Sequence, residues 1–299
     1  MRIIYQRNVE DALIVGMRDM DEFGKNRDSR NGPVFVFHEP VTTVYEKPRE
    51  RVVFLAERDA HPFFHFMEGL WMLDGRNDVA WISEFLSNIV NFSDDGVTFH
   101  GAYGHRWRSH FLLFGDRGDG VMEDVGSIDQ MVTIAKLLRD NPDDRRCVMQ
   151  MWDPQVDLAR NGKDFPCNVT VSFRVNDGFL DMTVFNRSND MIWGAYGANA
   201  VHFSMMQEFV ASYVGVRVGR YWQVSTNFHA YHKEFEKRAE ILELSPGFTP
   251  YQLGEVEPYR MVNIEPDQWL RELRMFTEEG PVMGFTDPFF RKVAVPMLQ

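Results

Sequence analysis

Apolar and polar residues alternate through the middle of the chain in a pattern typical of β-strands. The alternation covers residues 147–152, resumes at Cys167 and returns over residues 179–185. Asn176-Asp177-Gly178, between the last two runs, favours a tight hairpin turn. The pattern therefore predicts neighbouring strands, with Cys167 at the start of one and Arg187-Ser188 at the end of another. Cys147, inside an apolar strand, is expected to pack in the core.

Helical spacing of apolar residues predicts further elements on either side of these strands. Residues 62–73 are apolar on all sides, which is typical of a buried helix, and Gly75 marks its end. Asn8 is a candidate cap for the first helix, and Ser127 begins a capping-box sequence. The other predicted elements are helices over 9–20, 79–90, 128–138 and 200–214 and a strand over 220–231.

Size, composition and charge restrict the class of protein. The 299 residues are 44% hydrophobic and carry a net charge of −12, which argues against a general nucleic-acid-binding surface. The spacing of the two cysteines suits neither a disulfide framework nor a metal site. No repeat, linker, signal peptide or membrane-spanning run is evident. We expect a single α/β domain over residues 1–299, cytoplasmic, with no metal, membrane or nucleic-acid partner.

The residues around Cys167 suggest a nucleophile beside an anion site. A free thiol has a pKa of about 8.5, and nearby guanidinium groups would lower it and raise the thiolate fraction. Guanidinium and hydroxyl groups also suit a phosphate monoester dianion. The run after Arg145-Arg146 contains no acidic partner, which suits an anion from outside the subunit. The candidate phosphate ligands are Arg30, Arg145, Arg146, Arg187 and Ser188.

Each of the remaining candidate residues also has a structural explanation. Glu68 lies within the buried helix, where a carboxylate is costly unless it is paired or used in chemistry. A structural salt bridge would also explain Glu68, and a solvated loop charge would explain Arg30. His229 and Tyr231 lie two residues apart, hence on one face of a strand. His229 is either structural or part of the site; as a base for Cys167 it would suit a hydrolase, but no protease signature surrounds the cysteine.

Several short motifs in a fixed order resemble the superfamily of thymidylate synthases and pyrimidine-nucleotide hydroxymethylases. The resemblance covers the chain from about Arg30 to its end. Its motifs are Glu68-Gly69-Leu70-Trp71 with Gly75, Tyr103-Gly104 with Trp107-Arg108, Arg145-Arg146, Trp152-Asp153-Pro154, Pro166-Cys167, Arg187-Ser188-x-Asp190 with Gly194, and His229-x-Tyr231.

The resemblance implies transfer of a one-carbon unit from 5,10-methylenetetrahydrofolate to C5 of a pyrimidine nucleoside 5′-monophosphate. Cys167 would add to C6 of the base, Glu68 would organise proton transfers through water, and Tyr103 would assist loss of the C5 proton. Arg30, Arg187 and Ser188 would bind the phosphate, with Arg145 and Arg146 supplied by the second subunit of a homodimer. His229 and Tyr231 would bind the ribose, and Asp190 and Trp107 the folate. The implied fold is an α/β domain with a large bent mixed sheet flanked by helices, which dimerises through the sheet face.

Departures from the family pattern bear on the base and the product. Ala198 stands where synthases place the asparagine that contacts uracil, with Asn199 one residue later, so either residue is a candidate. Asn168 replaces the histidine that usually follows the cysteine. The two tryptophans that wall the folate are absent from residues 87–101.

A thinner wall would admit water to the exocyclic methylene formed on the base. We therefore favour hydroxymethylation of dUMP, dCMP or CMP over the reductive methylation of dUMP by a thymidylate synthase. A non-catalytic nucleotide- or RNA-binding relative and a cysteine–histidine hydrolase are also compatible with these residues.

Overall fold

Twelve strands and eleven α-helices build the part of the chain that the structure, a computed structural model, describes: residues 1–116, 118, 121–245, 247–282 and 284–298. The strands are β1 (Arg2–Gln6), β2 (Lys25–Ser29), β3 (Gly32–Val36), β4 (Val41–Tyr45), β5 (Leu112–Asp116), β6 (Met122–Ser127), β7 (Val148–Gln150), β8 (Asn168–Asn176), β9 (Phe179–Asn186), β10 (Asn189–Asp190), β11 (Arg217–Ser225) and β12 (Phe228–Tyr231). The helices are α1 (Val9–Phe23), α2 (Pro62–Leu73), α3 (Val79–Ser83), α4 (Tyr103–Arg108), α5 (Gln130–Asp140), α6 (Pro154–Asp157), α7 (Asn199–Val214), α8 (His232–Phe235), α9 (Arg238–Leu244), α10 (Pro250–Leu253) and α11 (Pro266–Glu279).

A six-stranded mixed sheet in the order β1-β4-β11-β9-β8-β7 forms the centre of the fold. β1 runs parallel to β4 and β11 parallel to β9, whereas the other neighbours are antiparallel. A four-stranded sheet in the order β10-β12-β3-β2 lies beside it, and β5 pairs with β6. The predicted α/β fold with a large mixed sheet and flanking helices is confirmed.

The hairpin between β8 and β9 follows directly from local sequence. Asp177 and Gly178 have φ angles of 48° and 76°, the left-handed backbone that the tightest hairpin turns require. Asn176 pairs with Phe179 across this turn, and Asn168 pairs with Asn186 at the other end. The turn thus brings the start of β8, next to Cys167, beside the end of β9, next to Arg187.

Helices α2 and α7 pack closely against each other in the core. A Cβ atom at Gly69 would lie 2.5 Å from the sulfur of Met205, so a larger residue there would require the Met205 side chain to move. As predicted, α2 covers residues 62–73, and α1 is capped by the Asn8 side chain, which accepts a hydrogen bond from the Asp11 amide.

Two predictions about the helices were wrong in detail. The helix over 79–90 is two pieces, α3 and a 3₁₀ turn at Ser87–Phe92, because Leu86 adopts an extended backbone and packs against the core. The cap of α5 is Asp129, whose carboxylate accepts from the Val132 amide, rather than Ser127.

The predicted strand over 220–231 is divided between two sheets. β11 belongs to the six-stranded sheet and β12 to the four-stranded one. At the break, the Thr226 amide donates to Asn186 and the Asn189 amide donates to Asn227. The chain therefore changes sheet where it passes the end of β9, and His229 is moved away from the central sheet.

None of the helices in the described part of the chain combines the length and apolar composition that a membrane span needs.

Candidate active site

Cys167 lies at the start of β8, held by the ends of two other elements. Its amide donates to the Tyr103 hydroxyl at 3.3 Å, and its carbonyl accepts from the Arg187 amide at 3.0 Å. Arg187 Nε donates to the Pro166 carbonyl at 3.0 Å, and its guanidinium stacks on Trp152 at 5.1 Å. Backbone contacts on both sides thus place the thiol between Tyr103 and Arg187.

The arginines do not lower the pKa of Cys167 below its usual value, contrary to the expectation from sequence. Burial raises the pKa of the thiol, and Asp164 and Asp190 raise it further. Arg187 and then Arg30 act in the opposite direction without cancelling the effect of burial. Burial likewise raises the pKa of Tyr103 well above that of an exposed phenol, so the hydroxyl is protonated.

The second cysteine is a core residue. Cys147 is 1% exposed, and burial raises the pKa of its thiol. The prediction that Cys147 is packed in the core is confirmed.

A cavity of about 260 Å³ collects most of the predicted phosphate and ribose ligands. Its lining includes Arg30, Ser188, His229 and Tyr231. Asn227, also in the lining, donates to the Ser188 hydroxyl at 3.4 Å, and the His229 and Tyr231 rings lie 5.4 Å apart. This polar cavity beside the Arg187-Ser188 turn has the size and the donors to hold a phosphorylated sugar.

Arg145 and Arg146 are separate from this cavity. Both are exposed, and the Arg146 side chain, 76% accessible, forms an ion pair with Asp144 at 2.6 Å. The residues that follow Arg146 supply no acidic partner, as expected, but Asp144, two positions before it, does.

Glu68 projects from α2 towards α7. Its Oε2 lies 3.0 Å from Nε2 of His202; the two side chains are 16% and 2% exposed. The contact is within ion-pair distance but is not aligned as a hydrogen bond, and neither His202 ring nitrogen has a hydrogen-bond partner among the described residues. The carboxylate is therefore paired and yet reaches solvent.

The structure distinguishes Ala198 from Asn199. Met191–Ala198 forms a π-helical segment with non-helical backbone at Tyr196 and Gly197, and α7 begins at Asn199. Asn199 is buried, and its Oδ1 accepts from Asn168 Nδ2 at 3.5 Å, next to Cys167. The wide turn thus has the effect of an inserted residue and places the Asn199 amide at the site.

The predicted folate ligands have different surroundings. One oxygen of Asp190 accepts from the Trp193 amide, whereas Oδ2 is buried without a hydrogen-bond partner in the described chain. Burial also raises the pKa of Asp190. Trp107 is 0% exposed and packs on Phe203 at 5.6 Å, so it lies in the core of the described chain, and its assignment to cofactor binding stays a prediction.

Some residues around the site were not predicted. Asn227 is two positions before His229, and the polar turn that precedes the histidine is a signal that could have identified it. Trp193 is 49% exposed beside Asp190, and its aromatic ring in a short loop was a second usable signal. His202 lies in a strongly apolar helix and has no such signal.

The site and the fold define a family. The thymidylate synthase family model matches residues 11–265, and the chain belongs to that family. The resemblance predicted from the motifs is confirmed.

Three relatives indicate which members of this family the chain is similar to. A deoxyuridylate hydroxymethyltransferase of Pseudomonas phage M6 is 52% identical over 307 aligned residues, covering 100% of this chain and 83% of the relative. A protein of the same name from Bacillus phage SP01 is 34% identical over 83% of this chain and 61% of its own length. A thymidylate synthase of Streptococcus agalactiae is 31% identical over 64% of each chain. Both names describe one-carbon transferases.

Proposed function

We propose that this protein is a deoxyuridylate hydroxymethyltransferase, which converts dUMP into 5-hydroxymethyl-dUMP with 5,10-methylenetetrahydrofolate and water. The main support is the position of Cys167 between Tyr103 and Arg187, beside a cavity lined by hydrogen-bond donors that suit a phosphorylated sugar. The relatives that bear this name are similar over most or all of the chain, which supports the choice of substrate.

The nucleotide would bind with its phosphate against Arg30, Arg187 and Ser188. His229 and Tyr231, on the same face of β12, would contact the ribose. The Asn199 amide, next to Asn168, would contact the uracil edge. In this arrangement C6 of the base would lie over the Cys167 thiol.

The residues near Asp190 fit a folate. A buried carboxylate oxygen without a partner suits the amide and amino edge of a pterin, and the exposed Trp193 ring suits a flat aromatic group. When bound, the folate supplies a one-carbon unit at the oxidation level of formaldehyde.

The protein groups then have separate roles in proton and bond transfer. The Cys167 thiolate adds to C6, which makes C5 nucleophilic. The protonated Tyr103 hydroxyl would position the water that accepts the C5 proton, and Glu68 would exchange protons with water on the other side. After the one-carbon unit is transferred and tetrahydrofolate leaves, C5 would carry an exocyclic methylene. Once water has added to this methylene, the electrons returned to the ring would form the C5–C6 double bond and expel Cys167 as thiolate.

The segment Ser87–Phe92, where related synthases carry tryptophans that wall the folate, favours addition of water rather than hydride to the exocyclic methylene. The segment Ser87–Phe92 contains no buried residue and no tryptophan, and Phe92 is exposed. A wall of this kind leaves water access to the methylene carbon. The oxygen of water bonds to that carbon, its proton passes to a protein base, and the product is a hydroxymethyl group.

We also propose that the active form is a cytoplasmic homodimer with shared sites. Arg145 and Arg146 are exposed at the edge of the central sheet, before β7, and face no site in their own described chain. Two stacked subunits would allow each pair to reach the phosphate site of the other.

The test is to incubate the protein with dUMP, dCMP, UMP or CMP and methylenetetrahydrofolate and to identify the products by mass spectrometry. We expect a gain of one hydroxymethyl group on dUMP and no rise in absorbance at 340 nm. A methyl product with such a rise, due to dihydrofolate, would instead establish a thymidylate synthase. No product with any nucleotide would refute both enzymatic functions.

A further inference from the structure

We infer that His202 is a positioning residue for Glu68, and that together they accept the proton from the water that becomes the hydroxyl group of the product. This inference rests on the proposed function and adds to it a residue for the step at which water is captured.

The packing of α2 on α7 brings the two side chains together. Gly69 allows the helices to approach until a Cβ at that position would lie 2.5 Å from Met205 Sδ and 3.7 Å from His202 Cδ2. Glu68, the preceding residue, then has its Oε2 3.0 Å from His202 Nε2. An imidazole at this distance is in ion-pair contact with the carboxylate and limits the orientations open to it.

The position of His202 along α7 links Glu68 to the base. Asn199 and His202 are three residues apart in the helix, so they share a face. Asn199 contacts Asn168, which follows Cys167. The base site and the Glu68–His202 pair are therefore neighbours along one helix face.

The burial of the His202 imidazole without hydrogen-bond partners indicates a functional role. His202 is 2% exposed, and neither ring nitrogen has a hydrogen-bond partner among the described residues, an arrangement that costs free energy unless something else is gained. Glu68 retains contact with solvent at 16% exposure, so a water molecule can reach its carboxylate. The buried imidazole of His202 thus contacts a carboxylate that water can reach.

His65 is a further titratable side chain beside this pair. His65 lies one turn before Glu68 on α2, with its ring perpendicular to that of His202 at 6.4 Å. Burial, aided by repulsion from His202, Arg58 and His61, lowers the pKa of His65 to about 3, so His65 remains neutral. His65 is therefore not the group that accepts the proton from water.

The step balances without any additional reactant. The oxygen of water forms a bond to the exocyclic methylene carbon as the methylene π electrons shift into the ring carbonyl. The proton of water passes to the Glu68 carboxylate, held by His202. The electrons then return to form the C5–C6 double bond, Cys167 leaves as thiolate, and Glu68 releases the proton to solvent.

The experiment compares His202→Phe, which removes both nitrogens, with His202→Gln, which keeps a polar nitrogen in the side chain next to Glu68. Met205→Leu is the matched control, since Met205 contacts the same glycine of α2 without any titratable group. Rapid-quench measurements would follow both tritium release from [5-³H]dUMP and the appearance of hydroxymethyl product.

For His202→Phe we expect kcat to fall by about a hundredfold, with the KM for dUMP changed less than about twofold. Tritium should still be released in a burst of about one per site, followed by slow product formation. His202→Gln should recover part of kcat, and Met205→Leu should behave as wild type. Product formation that keeps pace with tritium release in His202→Phe would overturn the inference, as would loss of the burst itself.

Two further outcomes distinguish failure of the role of His202 from failure of the proposed hydroxymethyltransferase activity. If His202→Phe does not fold, the pH profile of kcat for His202→Gln decides: loss of one ionisation supports the inference, and an unchanged profile overturns it. If the wild type forms no hydroxymethyl product from dUMP, the proposed function fails irrespective of these variants. If the wild type forms hydroxymethyl product and the His202 variants do so at the same rate, only the role of His202 is refuted.

Discussion

Asn199 donates a hydrogen bond from Nδ2 to Asn189 Oδ1 at 3.1 Å, and this contact orients the amide that we propose to contact the substrate base. Asn189 is in turn held by two contacts of its own Nδ2, which donates to Gln223 at 2.5 Å and to Ser225 at 3.0 Å. The oxygen of Asn199 therefore points towards Asn168. An amide held in one orientation matches the N3–H and O4 edge of uracil or the N3 and 4-amino edge of cytosine, but not both.

Exchange of the two candidate base contacts tests this assignment. We expect Asn199→Ala to lower kcat/KM for dUMP by about ten- to a hundredfold, because an unpaired buried polar group costs roughly 1–3 kcal/mol. Ala198→Asn should have little effect on the ratio of dUMP to dCMP turnover. Unchanged ratios in both variants would show that neither residue contacts the base.

The two cysteines should differ sharply in function. Cys167→Ser should abolish turnover, because a serine hydroxyl is a far weaker nucleophile at neutral pH. Cys147→Ser places a hydroxyl in the core and should lower stability while leaving most activity. Steady-state assays at a temperature where both variants are folded provide the comparison; appreciable turnover by the Cys167 variant would refute covalent catalysis.

The pH dependence of Cys167 reactivity should follow the balance between burial and Arg187. Burial raises the pKa of Cys167 and Arg187 opposes it, so the thiolate fraction is small at neutral pH and grows as pH increases. In a Cys147→Ser background, the iodoacetamide rate should have a midpoint above about 8.5. Arg187→Ala should move this midpoint higher, whereas Arg174→Ala, on the exposed side of β8, should not. A midpoint that falls on removal of Arg187 would contradict this electrostatic account.

Shared sites can be detected by mixing inactive subunits. The Arg146 side chain is 76% exposed in its ion pair with Asp144, so its guanidinium is accessible to a phosphate dianion from a partner subunit. Hybrids of Arg146→Ala and Cys167→Ser subunits should regain activity, because one site of each hybrid keeps both groups. Tagged purification of the hybrids would establish mixing; an inactive purified hybrid would argue against an Arg146 contribution from the partner.

A buried charge pair behind the site should control stability. Arg106 and Asp157 have fully buried side chains, with Nη2 and Oδ1 2.9 Å apart. Asp157→Ala would leave the guanidinium buried and uncompensated, and we expect a loss of about 3–5 kcal/mol in the free energy of unfolding. Urea denaturation would measure it, with the exposed Asp143→Ala as the control. A loss below about 1 kcal/mol would mean that the guanidinium finds other partners, such as the Met151 carbonyl.

The local pattern of the sequence determined the elements that carry Cys167 and Arg187. Alternation specifies which strand faces are buried, and Asp177-Gly178 supplies the left-handed turn that pairs β8 with β9. The all-round apolar composition of residues 62–73 likewise specified a buried helix with Glu68 inside it. These features depend on neighbours in the chain, so they could be predicted without the fold.

Tertiary structure alone decided the contacts between elements distant in sequence. The approach of α2 to α7 at Gly69 selects His202 as the partner of Glu68, and the change of sheet after Ser225 places His229 in the cavity with Arg30. The proposal that Asn199, rather than Ala198, contacts the base rests on a wide helical turn that periodicity does not reveal. Burial, a property of the whole fold, also outweighs the arginines in setting the pKa of Cys167. Sequence spacing determines which residues share a face, but only packing determines what that face contacts.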